Sequence, residues 1–139
     1  MAGNSHNGGV FGKAWRGDRT DNTTDRGDAY VETTYNTTEL GFGSENQTSM
    51  AWVYWEGHLG GGGDNEDYMV FANDTTASIH YGIRANGADV NVDNVHFGTW
   101  GGDINDAGTV PPNTWTHVTW VWNSPTENTV YVNGGGGWR

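Results

Sequence analysis

Residues 115–135 read WTHVTWVWNSPTENTVYVNGG. Two runs within this stretch alternate at period two. In Trp115–Trp122, Val118, Trp120 and Trp122 fall on one side, and His117, Thr119 and Val121 on the other. In Thr129–Asn133, Val130 and Val132 share a face opposite Tyr131. β-branched and aromatic residues at this period fit a pleated, half-buried surface. Between the runs, Asn123 to Asn128 supply turn formers and Pro125, which interrupts a ladder. The stretch is therefore expected to form a β-hairpin.

Working outward, Ser49–Trp55 is the most strand-like run of the first half. Met50, Trp52 and Tyr54 alternate with Ala51, Val53 and Trp55, and every position is apolar or small. Such a run is expected to be covered on both faces, as an inner strand. Tyr68–Ala72 and Ala77–Arg84 read as paired strands across the turn 73–76. Val90–Val92 and Val95–Phe97 supply short strand material, and no amphipathic helical pattern is found. Near the start, Val10–Trp15 reads as a short strand and Asp28–Tyr35 as another.

Three pieces of this pattern resemble the concanavalin A-like jelly-roll superfamily, and within it the laminin-G-like (pentraxin-like) branch. They are Gly27–Glu32 (GDAYVE), Ser49–Trp55 (SMAWVYW) and the Trp-x-His-Val to Val-Tyr-Val-Asn-Gly hairpin, in the order that branch uses. The resemblance implies an all-β fold, an antiparallel two-sheet jelly-roll sandwich, over residues 10–139, with residues 1–9 a mobile N-terminal segment. It also implies further strands after Asn133-Gly134, whereas only residues 135–139 follow. The sandwich is accordingly expected to be incomplete at the C-terminus. Three explanations are open: a fragment of a longer chain, a reduced sandwich, or completion by a strand from another copy at the open edge.

Composition narrows the function. With 139 residues and 34% hydrophobic content, including eight Trp, six Tyr and four Phe, the chain can build one modest aromatic core. No apolar run approaches a membrane span. Residues 1–9 (MAGNSHNGG) lack the basic and apolar regions of a signal peptide. The absence of cysteine excludes a disulfide framework and thiolate metal sites. Seventeen acidic residues against six basic ones give a net charge of −11, and Lys13 is the only lysine. That balance disfavours nucleic-acid binding and suits either a high-salt habitat or a calcium-binding extracellular domain.

Two loops carry candidate chemistry. Asp18, Asp21, Asp25 and Asp28 are dense enough to need solvation or a cation, and oxygen-rich loops suit Ca²⁺. A solvated loop explains the same composition, and the spacing is not that of an EF-hand. Arg-Gly-Asp occurs twice here, at Arg16–Asp18 and Arg26–Asp28, a weak motif that a glycine turn among charges also produces. The second loop, Gly98–Asn113, holds Trp100 beside Asp103, Asn105 and Asp106. An indole face stacks on the apolar face of a pyranose while carboxylates and amides hold its hydroxyls, so these four are the expected glycan contacts. The alternative is that Trp100 caps the core.

Catalysis is not expected. The resembled superfamily includes glycoside hydrolases that present paired carboxylates from one strand, in an E-x-D-x-x-E pattern, but no such pattern occurs. Asp64 to Asp67 are acidic but sit in a glycine loop without that spacing. Neither G-x-S-x-G nor HExxH is present, and the histidines are scattered. Sequons at Asn22, Asn36, Asn46 and Asn73 are those expected of a chain rich in Asn and Thr. The sequence reading is a non-catalytic, lectin-like module at a cell surface or outside the cell. Its partner would be a glycan or polysaccharide, with Ca²⁺ as a candidate organising ion. The competing reading is a structural or adhesive assembly unit that forms homo-oligomers.

Overall fold

The computed structural model describes residues 3–17, 34, 46–57, 67–72, 79–84, 93–99, 107–124 and 127–138. All regular structure among them is β. Contacts divide the chain into two compact units, Met1–Asn36 and Thr37–Arg139.

The first unit contains an antiparallel ribbon of β1 (Gly3–Gly9) and β2 (Gly12–Gly17). Residues 3–9, read from sequence as a mobile terminus, are thus a paired strand. The expected strand at Val10–Trp15 begins two residues later, because Val10 and Phe11 form the turn. The turn depends on its flanking glycines. Gly12 has φ +123°, and a Cβ on Gly9 would lie 2.9 Å from the carbonyl oxygen of Gly12.

The second unit is built from two four-stranded antiparallel sheets. The strands are β3 (Gln47–Tyr54), β4 (Asp67–Ala72), β5 (Ile79–Arg84), β6 (Asp93–Thr99), β7 (Thr109–Val110), β8 (Trp115–Ser124), β9 (Glu127–Val132) and β10 (Gly135–Trp138). One sheet has the order β10-β9-β8-β3 and the other β4-β5-β6-β7. The inward rows of the two sheets meet, as in a β-sandwich jelly roll. Val118, Trp120 and Trp122 of β8 and Val130 of β9 are buried with Tyr81, Ile83 and Val95 of the opposite sheet. Trp120 is the centrepiece, with its ring 5.5 Å from that of Tyr81 and 6.3 Å from that of Phe71. Its indole N–H donates to the His96 carbonyl oxygen at 3.3 Å, so the polar end of a 1% exposed side chain has a partner. A second bond between the sheets runs from Gln47 Nε2 to the Tyr81 hydroxyl, at 3.1 Å. Burial pushes the Tyr81 phenol above its ordinary value, opposed by its hydrogen bonds to Gln47 and Ser49.

The hairpin 115–135 forms as its alternation predicts, with Val118 opposite Val132 and Trp120 opposite Val130. After β9 the chain reverses through Asn133 and Gly134, with φ +50° and +74°. Positive φ at both central residues matches a type I′ turn, whose twist suits a tight hairpin. The first of the strands implied after this turn is present as β10, which pairs along β9. β4 and β5 pair as expected of Tyr68–Ala72 and Ala77–Arg84; β6 takes in the expected Val95–Phe97 together with Asp93 and Asn94 and pairs with β5, while Val90–Val92 lies outside the described residues.

The expected loop Gly98–Asn113 is shorter than its sequence suggests. Thr109 and Val110 pair with Asn94 and Asp93, and Ala107 and Val110 are wholly buried. Gly108, at φ +84°, lets the backbone turn in, and its carbonyl oxygen accepts from the Val95 amide at 2.9 Å.

Candidate functional site: an exposed aromatic face

The largest departure from the sequence reading is at β3. All eight of its residues pair with β8, from Gln47 opposite Trp122 to Tyr54 opposite Trp115. Its burial alternates without interruption, and the outward row is open to solvent. Met50 is 59% exposed, Trp52 43% and Tyr54 39%. The expectation that both faces of this strand are covered is therefore overturned. Ala51 and Val53 pack on the core, while the large residues face out.

Directly opposed residues of an antiparallel pair share a face, so the register extends this surface across the sheet. Met50, Trp52 and Tyr54 stand beside Thr119, His117 and Trp115 of β8. Thr119 in turn stands beside Tyr131 of β9. The β8 residues are half-buried, and they brace the more exposed row. The Trp52 ring lies 5.1 Å from the His117 imidazole at an interplanar angle of 63°, and Tyr54 lies 5.3 Å from Trp115 at 56°. These edge-on and tilted contacts are favourable for aromatic pairs and restrict ring rotation. Adjacent strands lie ~4.8 Å apart and alternate residues of one strand ~7 Å apart, so the surface is a strip of rings along β3 backed by a second row.

The frame under the strip is fixed at one end by Asn133. Its backbone N–H donates to the His117 carbonyl oxygen at 2.8 Å, and its side-chain Oδ1 accepts from the His117 N–H at 2.9 Å. An antiparallel pair normally exchanges two backbone bonds. Here the left-handed turn takes the Asn133 carbonyl out of the ladder, and the side chain supplies the missing acceptor. Asparagine fits twice, because it tolerates positive φ and carries that oxygen. At the same end, just beyond the Tyr54–Trp115 pair, the Asn113 N–H donates to the Trp55 carbonyl oxygen at 2.7 Å and ties the approach to β8 against the end of β3.

The residues expected from sequence to bind glycan, Trp100, Asp103, Asn105 and Asp106, lie outside the described residues. So do the candidate calcium ligands Asp18, Asp21, Asp25 and Asp28. Among the described residues, no group of three His, Asp or Glu side chains could hold a metal ion. His117 makes its bonds to Asn133 through its backbone, and its imidazole lies against Trp52.

A family model described as the concanavalin A-like lectin/glucanases superfamily, of the laminin-G type, matches residues 25–135. The chain belongs to this superfamily. No curated protein and no solved structure matches it.

Proposed function

We propose that the protein is a non-catalytic carbohydrate-binding module acting outside the cell or at its surface. The observation that carries this reading is the row Met50, Trp52 and Tyr54, large side chains held open to solvent on a sheet of a concanavalin A-like fold. Contiguous exposed apolar surface marks interaction sites. Here it is interleaved with a phenol, an imidazole and the Thr119 hydroxyl, groups that can bond sugar hydroxyls while the rings stack on C–H faces. Glycosidases need two carboxylates flanking the scissile bond, and the paired positions 48–54, 115–121 and 129–131 carry none. Trp100, Asp103, Asn105 and Asp106 remain proposed as a second contact region, and Asp18, Asp21, Asp25 and Asp28 as a Ca²⁺ loop, on sequence grounds. A glycan array probed with the chain and with Trp52→Ala tests the reading. Binding that the substitution removes, with the melting temperature held, supports it; a variant that binds as well as its parent moves the site elsewhere.

A second reading, a structural or adhesive assembly unit, is favoured by the place of β3 at the edge of its sheet among the described residues. An edge strand is a template for strand addition. Oligomers that grow with concentration and show no glycan affinity would support it.

A further inference from the structure

We infer that the aromatic strip on β3 and β8 takes an uncharged, β-linked linear polysaccharide, bound along the chain rather than at its end. This rests on the carbohydrate reading above and narrows it to one ligand class. Charge selects a neutral ligand. The chain carries 17 acidic and six basic residues, yet the outward positions 48, 50, 52 and 54 of β3, 115, 117, 119 and 121 of β8 and 129 and 131 of β9 hold no Asp, Glu, Lys or Arg. A sulfated or uronic-acid polymer would approach a strongly negative molecule and find no cation on this face to anchor it. A neutral polymer meets neither barrier.

Shape selects an extended one. Met50, Trp52 and Tyr54 form a line, each between 39% and 59% exposed, rather than a closed pocket. The line spans ~14 Å at the spacing of alternate strand residues, long enough for more than one pyranose in succession. β-Linked pyranoses with equatorial hydroxyls present apolar C–H faces on both sides, so an extended chain can meet successive rings. Because Trp52 and Tyr54 are already braced by His117 and Trp115, little side-chain freedom is lost on binding. The Tyr54 phenol and the His117 imidazole supply groups on this face that can bond ring hydroxyls.

Isothermal titration of the full chain with cellohexaose, laminarihexaose and xylohexaose, against heparin and oligogalacturonate, tests this. The inference expects a neutral hexasaccharide to bind at least about tenfold more tightly than its disaccharide, a difference of about 1.4 kcal/mol. Affinity should hold from low salt to about 0.5 M, since no ion pairs are screened. Trp52→Ala and, separately, Tyr54→Ala should each weaken it about tenfold or more with the fold intact. Binding only to the anionic polymers, falling with salt, overturns the inference and leaves the carbohydrate reading standing. So does neutral binding that neither substitution alters. No binding to any saccharide by a folded chain overturns both, and a dimer that Trp52→Ala dissolves assigns the strip to a second copy instead.

Discussion

Replacing Asn133 should separate the two tasks that the β9–β10 turn gives it. At φ +50° a residue with a Cβ is strained by about 1–2 kcal/mol, a cost asparagine largely avoids. The Oδ1 bond to the His117 N–H, 2.9 Å long, is worth about 0.5–1.5 kcal/mol. This bond is solvent-exposed, so water replaces part of what is lost, and the lower half of that range applies. Asn133→Ala removes both contributions and should cost about 2 kcal/mol. Asn133→Gly relieves the φ strain, loses the acceptor and adds unfolded-state freedom, for about 1 kcal/mol. Asn133→Asp keeps an acceptor and should lie close to the parent. Urea denaturation followed by tryptophan fluorescence reads the series. With an m-value of about 2 kcal/mol/M, the alanine variant should shift the midpoint by about 1 M and the glycine variant by about half that. An alanine variant as stable as the parent, or a glycine variant less stable than alanine, would refute the two-part account of this residue.

Other substitutions probe the core, the ribbon and the pH response. Trp120→Ala, at a 1% exposed position between the sheets, should cost about 3–5 kcal/mol, whereas Trp52→Ala on the open face should cost less than about 1 kcal/mol; paired thermal melts give the contrast. Gly9→Ala forces a Cβ to 2.9 Å from the Gly12 carbonyl oxygen, so hydrogen exchange should quicken at the amides of β1 and β2 while those of β8 keep their protection. Tyr81 is held above its ordinary value of 10.0, so above that pH the unfolded chain releases the phenolic proton while the folded chain keeps it. Folded protein then binds more protons than unfolded, and stability falls as pH rises past 10.0. Tyr81→Phe should flatten that slope in denaturation curves taken on either side of it.

The sandwich was legible because its strands carry period-two contrast. Val118, Trp120 and Trp122 differ enough from His117, Thr119 and Val121 to orient β8, and the structure buries the first set. At β3 the contrast vanishes, since Ala51 and Val53 alternate with Met50, Trp52 and Tyr54 and every side chain is apolar. Hydropathy alone then points to burial on both faces. The usable signal lay across the sheet, where the partners of Met50 and Trp52 are Thr119 and His117, residues suited to a wet face. β7 was missed for another reason. Two residues are too short to show a period, and Gly108 reads as loop although its turn brings Ala107 and Val110 into the core. β1, the first strand of the ribbon, was hidden by composition, because glycine and asparagine weaken strand propensity while allowing the tight turn that pairs it with β2.

The location of the site is tested most directly by the indole N–H resonances of the eight tryptophans, followed in ¹H–¹⁵N spectra during titration with a neutral β-glucan hexasaccharide. The account predicts that the Trp52 and Trp115 signals move with a common affinity while that of Trp120, inside the core, stays in place. Shifts confined to Trp100, with Trp52 and Trp115 unmoved, would contradict it and return recognition to the loop.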